Sequence, residues 1–214
     1  MAGIAEGRLR EERRSWRKDH PIGFVARPRS KADGSTDLLN WDVVIPGKKD
    51  TMWEGCEFNL TMEFSSDYPA TAPVVKFVSR PGEVEEPCTN QPVSRRVWRG
   101  GRRDDSARMR REILFYAQVF WHLNVWSSGR ICLNLLNEPD GTWHGQWSPS
   151  ITIKQILCAI QELLDNPFPA GARPEVQTLY ERNRPAYERR LRQEADKYRK
   201  RPLPDDDDDV VVIE

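Results

Sequence analysis

The chain has 214 residues, of which 33 are basic and 33 are acidic, so its formal net charge is zero. That length suits one domain with a full core and some appendages, since single domains commonly span ~100–200 residues. No apolar run reaches signal-peptide length at the start, and none approaches the ~18 residues of a membrane span, so we expect neither secretion nor a membrane partner.

Charged residues are grouped along the chain rather than evenly mixed. Residues 1–31 carry nine Lys or Arg against four acidic residues, and residues 181–201 carry the same excess. Residues 205–214 contain six acidic residues and no basic one. The grouping favours charged partners, although each block taken alone is also compatible with a soluble face.

Residues 4–18 are predicted to form a helix with two different faces. Ala5, Leu9 and Trp16 share one side, while arginines at three- and four-residue steps share another. One face can therefore pack while the other stays basic. The helix should end before Pro21, because a residue that precedes proline is pushed out of the helical region.

Four strands in an antiparallel meander are predicted next. The two central ones alternate apolar and polar residues, which is the period of a half-buried strand. Gly34 and Gly47 supply turns between strands. The predicted strands are residues 23–27, 39–45, 56–64 and 74–78.

The last third of the chain is predicted to be helical. Thr152 and Gln155 form a capping box, and apolar residues between 153 and 164 mark a core helix. Two further helices should lie on either side of Pro185, which ends the first and opens the second. The predicted fold class is therefore α+β, with a four-stranded antiparallel sheet and helices packed on one face.

The segment around Cys132 carries the strongest sign of chemistry. Asn124 lies eight residues earlier, and the open turn Ser127-Ser128-Gly129 lies between them. An apolar segment follows the cysteine and should anchor it. This arrangement suits a cysteine nucleophile with an amide donor beside it.

The other three cysteines have different contexts. Cys158 is expected to be a small core hydrophobe on the predicted helix, Cys56 begins a strand, and Cys88 lies in a weakly patterned segment. The four cysteines lack Cys-x-x-Cys or Cys/His ligand spacing, so no metal site and no disulfide framework is expected. A reducing compartment, the nucleus and cytoplasm, is favoured.

Several segments, in the same order along the chain, resemble the SUMO-conjugating branch of the ubiquitin-conjugating enzyme family. The resemblance covers residues 3 to 77 and about 120 to 199. The segments that carry it are Trp16 to Pro21, Gly23 to Ala26, Ile45 to Lys49, Trp53 to Gly55, Asn124 to Leu136 and Ile151 to Leu157.

The resemblance implies an enzyme that accepts SUMO from an activating enzyme as a thioester on Cys132 and passes it to lysines of target proteins. Thioester transfer needs no histidine–carboxylate pair, because the thioester is already activated. Asn124 is expected to stabilise the oxyanion, and a structural role in holding the turn at 127–129 is the alternative. No cofactor, metal or nucleic acid is implied, since the activating enzyme uses the ATP.

Binding surfaces are also implied by the resemblance. Arg13, Arg17 and His20 match a basic surface that holds a second SUMO non-covalently and overlaps the docking surface for the activating enzyme. A second set matches the surface that contacts the hydrophobic-Lys-x-Glu motif of substrates, with help from SUMO ligases. Its members are Lys76, Trp126, Ser128 and Arg130.

Three departures from the family pattern affect the site. A His-Pro-Asn motif is replaced by His122-Leu123-Asn124, which removes the rigidity of proline. An Asp-Pro pair that approaches the acceptor lysine has no match in residues 170–174. About five extra residues lie between Leu136 and Trp147. A conjugating enzyme for another ubiquitin-like protein and a catalytically weak SUMO-binding adaptor therefore remain as alternatives.

Two segments lie outside the resemblance. Residues 78–118 interrupt the core domain of residues 1–199 and are interpreted either as a disordered surface loop or as translated intron sequence, the latter being favoured because possible codons fit splice-site consensus. Residues 200–214 are predicted to form a disordered acidic tail. Four β-branched residues there predict a SUMO-interacting motif: Val210, Val211, Val212 and Ile213.

Overall fold

The computed structural model describes residues 2–78, 120–138, 145–169 and 171–199. Within these residues one antiparallel sheet has the strand order β1-β2-β3-β4, so every neighbour in sequence is also a neighbour in space. The predicted meander is confirmed, with strand ends shifted by up to three residues. The strands are β1 (Val25–Ser30), β2 (Thr36–Pro46), β3 (Glu57–Glu63) and β4 (Val74–Phe77).

Alternation along the strands determines which side chains enter the core. In β2, Trp41, Val43 and Ile45 are almost fully buried. They pair with the neighbouring strand in register, with Val43 opposite Leu60 and Ile45 opposite Phe58. One face of the sheet is therefore apolar and covered, as the period of two predicts.

Helix α1 (Ala2–Lys18) packs its predicted apolar side and exposes its arginines. Ala5 and Leu9 are fully buried and Trp16 is nearly so. Glu12 lies on the same buried side, which the sequence pattern did not indicate. Its carboxylate accepts hydrogen bonds from the Arg8 guanidinium and from the backbone N–H of Ile153 at 3.2 Å.

Helix α2 (Ile153–Asp165) starts at the capping box that the sequence predicts. The Thr152 hydroxyl accepts from the N–H of Gln155, and the Gln155 side chain accepts from the N–H of Thr152. Its apolar face is buried in the core. Because Glu12 also bonds the first N–H of α2, the two helices are joined at this end.

The C-terminal helices are α3 (Pro174–Arg182) and α4 (Arg184–Tyr198). Asn183 lies between them and caps α4 by accepting from the N–H of Ala186. Pro185 stands in the first turn of α4, as predicted. No helix among the described residues is long and apolar enough to cross a membrane.

Candidate active site

Cys132 follows a tight turn that is pinned at both ends. The N–H of Gly129 donates to the carbonyl of Trp126, and the N–H of Trp126 donates to Arg130, each at 2.9 Å. Gly129 has a φ of +79°, a conformation that favours glycine. The N–H of Cys132 then donates to the carbonyl of Asn124 at 2.8 Å, so the cysteine and the asparagine lie on adjacent backbone segments, as predicted.

The Cys132 thiol is half-buried and unpaired with another cysteine. Burial raises the pKa of the Cys132 thiol above its ordinary value, because desolvation disfavours the thiolate. The positive charge of Arg130 acts in the opposite direction. The resting residue therefore favours the thiol form at neutral pH, and Arg130 partly offsets this.

A cleft of about 560 Å³ opens beside Cys132. Its walls come from the segment that follows the cysteine, from the exposed edge of α2, and from the loop that follows α2. Most of the walls are apolar, while amides of Asn134, Asn137 and Asn166 stand at the edge. An extended chain attached to the sulfur could lie in this cleft.

The Asn124 side chain is fully buried and bonds the loop after α2. Its Nδ2 donates to the carbonyl of Phe168 at 3.0 Å, and its Oδ1 accepts from the N–H of Phe168 at 2.9 Å. These two bonds give Asn124 a structural role, toward a different segment from the predicted 127–129 turn. They join Phe168, which lines the cleft, to Asn124, whose own carbonyl accepts a hydrogen bond from the N–H of Cys132.

His122 is fully buried two residues before Asn124. Its Nδ1 accepts from the N–H of Asn124 at 3.1 Å, so the ring proton is on Nε2, which donates to the carbonyl of Leu164 at 3.3 Å. Burial lowers the pKa of His122 to about 4. The ring is therefore neutral at physiological pH, and its two hydrogen bonds connect the Asn124 backbone to α2.

The predicted substrate surface is assembled around the same turn. Lys76 and Arg130 face each other in an antiparallel bridge between β4 and the segment before Cys132. The Lys76 ammonium lies 3.3 Å from the Glu63 carboxylate, so its positive charge is already paired with an acidic residue. Trp126 is 45% exposed, and Ser128 is also at the surface. The four residues thus meet at one surface.

The predicted basic surface lies on the last two turns of α1. Arg17 is exposed and Arg13 is half-exposed, and no acidic residue of the described chain forms an ion pair with either. His20 stacks on Trp16 with ring centroids 5.3 Å apart, and its Nδ1 donates to the carbonyl of Trp16 at 2.9 Å. The imidazole is therefore fixed against Trp16 just after the end of α1.

The expectation that Cys158 is a core residue is wrong. The thiol is exposed on α2. The buried residues of α2 include Ile156, Leu157 and Ile160, and Cys158 projects to the solvent side between them. Cys56 is the buried thiol instead: it donates to the carbonyl of Ala195 at 3.3 Å, and burial raises its pKa.

Sequence reasoning did not identify His122 or Phe168 as residues that shape the site. His122 and Phe168 act through partners 42 to 44 residues away in sequence, which no local pattern reveals. A histidine two residues before the key asparagine was the one local signal. Cys88, the segment 79–118 and the tail 200–214 lie outside the described residues, as does most of the insertion before Trp147.

Comparison with known proteins identifies the class that this fold and site define. The family model for ubiquitin-conjugating enzymes matches residues 8–98 and 109–195. The chain belongs to this family, and the predicted fold and the predicted enzyme class are confirmed. No group of three or more metal-ligating side chains occurs among the residues that the structure describes.

Three similar proteins define the branch more closely. The chain is 40% identical over 199 residues to SUMO-conjugating enzyme UBC9 of Caenorhabditis elegans, covering 92% of this chain and 93% of that protein. It is 39% identical to SUMO-conjugating enzyme SCE1 of Arabidopsis thaliana, with 92% and 96% covered. It is 36% identical to the SUMO-conjugating enzyme ubc9 of Dictyostelium discoideum, with 92% and 98% covered.

Proposed function

We propose that this protein is a SUMO-conjugating enzyme in which Cys132 carries SUMO as a thioester. The observation that carries the proposal is the half-buried Cys132 thiol in the lining of a mostly apolar cleft, where Phe168 of the same lining is held by the side chain of Asn124. All three relatives are named as SUMO-conjugating enzymes, in agreement with the sequence-based prediction.

Loading exchanges one thioester for another. The Cys132 sulfur, once deprotonated, attacks the thioester carbonyl on the activating enzyme, and the thiol of that enzyme leaves. The C-terminal residues of SUMO then lie in the cleft between Leu133 and Phe168. Because burial raises the pKa of Cys132, the rate of loading should rise with pH, and Arg130 supports the thiolate.

In discharge a lysine amine attacks the thioester carbonyl, the C–S bond breaks with the Cys132 thiolate as leaving group, and the amine gives up a proton to water. Negative charge develops on the carbonyl oxygen during the attack, and the Asn124 amide is the group that stabilises it. Lys76 and Arg130 receive the acidic residue of the target motif, while Trp126 and Ser128 contact its backbone and apolar side. SUMO ligases assist this step by bringing targets to the same surface.

A loading assay tests the assignment of Cys132. The full chain is incubated with activating enzyme, ATP, and either SUMO or ubiquitin, and adducts are separated on a non-reducing gel. SUMO should give an adduct that reductant removes, and Cys132→Ser should abolish it. Cys158→Ser is the matched control and should keep the adduct, because its thiol is exposed and does not line the cleft. Loading by ubiquitin alone, or retained loading in Cys132→Ser, would contradict the proposal, and no loading at all would favour the adaptor.

A discharge assay tests Asn124. Asn124→Ala should load but pass SUMO to free lysine about 10²–10³ times more slowly, the range for loss of one oxyanion donor. Its free energy of unfolding should also fall by about 1–3 kcal/mol, because the N–H and the carbonyl of Phe168 each lose a hydrogen bond to the Asn124 side chain. Asn59→Ala is the control, since that side chain is exposed on β3. Equal discharge by the variant and the parent would remove the oxyanion role.

Non-covalent SUMO binding has two proposed sources. The first is the basic surface of Arg13, Arg17 and His20, and the second is the tail at 210–213. Titration of SUMO into a chain that ends at Pro204 should show one binding mode fewer than titration into the full chain. An identical isotherm for the two chains would exclude the tail as a binding site. In the shortened chain, Arg13→Glu should weaken the binding that remains, because it removes a positive charge from the basic surface.

A further inference from the structure

Leu123 packs so near Gly171 that a side chain at residue 171 would collide with it. Leu123 stands between His122 and Asn124 and is fully buried. A Cβ placed on Gly171 would lie 2.6 Å from Leu123 Cδ1 and 2.5 Å from Gln177 Oε1. Such distances are far inside van der Waals contact, so only glycine fits against the leucine as it is placed.

The contact is part of a larger connection between two segments. The N–H of Ala172 donates to the carbonyl of Leu123 at 2.7 Å, and Gly171 donates to the Gln177 side chain. On the same side, Asn124 holds Phe168 through two hydrogen bonds. Leu123 and Asn124 are adjacent in sequence, so the fit at Gly171 and the placement of Asn124 are mechanically coupled.

The backbone conformation of Gly171 does not require glycine. The described glycines with a positive φ are Gly23, Gly34, Gly55 and Gly129, and Gly171 is not among them. An alanine there would meet the leucine side chain without backbone strain. Leu123 has no exposed surface, so its side chain cannot move into solvent and gives way only by displacing the residues packed around it.

We propose that Gly171 is a positioning residue for the discharge step: its missing side chain admits Leu123, and this fit holds Asn124 in register with Phe168 at the cleft. The inference rests on the proposed role of Asn124 and deepens it. Leu123 stands where its family has proline, and the glycine makes room for the larger side chain. The close contact thus replaces the rigidity that the ring of a proline would supply.

A pair of substitutions tests this coupling in the full chain. Gly171→Ala should load SUMO normally but discharge it to free lysine about 10 to 100 times more slowly, as expected for a misplacement near 1 Å. The maximal rate should fall while the lysine concentration for half-maximal rate stays constant. Leu123→Val combined with Gly171→Ala moves one methyl group's volume from residue 123 to residue 171, and should discharge at the rate of Leu123→Val alone.

One further measurement separates this inference from the proposed function. The side-chain amide resonances of Asn124, observed without SUMO, should shift in Gly171→Ala and return in the double variant. Gly7→Ala is the control, because a Cβ at Gly7 meets nothing within 4 Å. If the parent forms no thioester, the proposed function fails. The Asn124 resonances would still show whether the side chain at residue 171 changes the placement of Asn124.

Three results would overturn the inference. The first is a Gly171→Ala variant that matches the parent in discharge rate and in its Asn124 resonances. The double variant could be as slow as Gly171→Ala, which would show that Leu123 is not the obstacle. If Gly171→Ala fails to fold, the double variant decides alone, and its failure to discharge at the rate of Leu123→Val would count against the coupling.

Discussion

At the scale of single residues, the site depends on buried polar side chains that form hydrogen bonds with backbone groups of other residues. His122 is the clearest case, because its two ring nitrogens bond Asn124 and Leu164 and its pKa is lowered to about 4 by burial. The unfolded chain binds a proton at the ordinary histidine pKa of about 6.5. The folded state therefore binds fewer protons than the unfolded state between these two values.

A pH dependence of stability follows from His122. The free energy of unfolding should be insensitive to this residue above pH ~6.5 and should fall as the pH drops toward 4, by about 3 kcal/mol in total. Chemical unfolding at several pH values measures the slope. His122→Gln should flatten it, because a neutral amide can still donate to Leu164 and does not titrate. An unchanged slope in this variant would assign the effect to other groups.

At the scale of elements, α1 and α2 are joined by a buried ion pair and a helix cap. Glu12 accepts from Arg8 and from the N–H of Ile153, whose own helix has Thr152 as its N-cap. Arg8 also donates to the carbonyls of Pro149 and Ile151. The segment that leads into α2 is therefore held by the helix whose other face is the proposed SUMO surface.

Substitutions at this junction should rank by what they leave unpaired. Glu12→Ala should lower the free energy of unfolding by about 2–3 kcal/mol, because it strands the buried N–H of Ile153 and removes the carboxylate partner of the Arg8 guanidinium. Thr152→Ala should cost about 1 kcal/mol as a lost N-cap. Glu11→Ala is the matched control on the exposed side and should stay within about 0.5 kcal/mol of the parent. Urea unfolding gives the order, and an equal loss for Glu11 and Glu12 would contradict it.

At the scale of the whole molecule, residues on either side of the 79–119 segment meet in the core. The rings of Phe77 and Phe120 stack with centroids 4.2 Å apart and an interplanar angle of 13°. Phe120 also contacts Phe58 and Tyr198, and the N–H of Val78 donates to the carbonyl of Asn59 at 2.9 Å. The β3–β4 ladder thus continues through Val78, and a short connection can replace the segment that follows.

Deletion of residues 79–118 should therefore preserve folding and thioester formation. The free energy of unfolding should stay unchanged or rise by up to about 2 kcal/mol, since a shorter loop costs less entropy to close. Extending the deletion to Phe77 is the control, and it should cost about 3–5 kcal/mol through loss of a core ring. Loss of loading in the 79–118 deletion would show that the enzyme needs the segment. Sequencing the mature transcript decides between the loop and the intron interpretation.

The sequence by itself determined the elements, the meander and the candidate nucleophile, because each depends on local periodicity or on residues within one short segment. Alternation in β2, the capping box at Thr152 and the Asn124–Cys132 spacing are such signals. Tertiary structure decided the partner of Asn124, the neutral state of His122 and the exposure of Cys158. The first depends on hydrogen bonds across more than 40 residues of chain, the second on the burial of the imidazole ring, and the third on which side of α2 faces the sheet. Burial and long-range contact set these properties, and neither is encoded in the spacing of nearby residues.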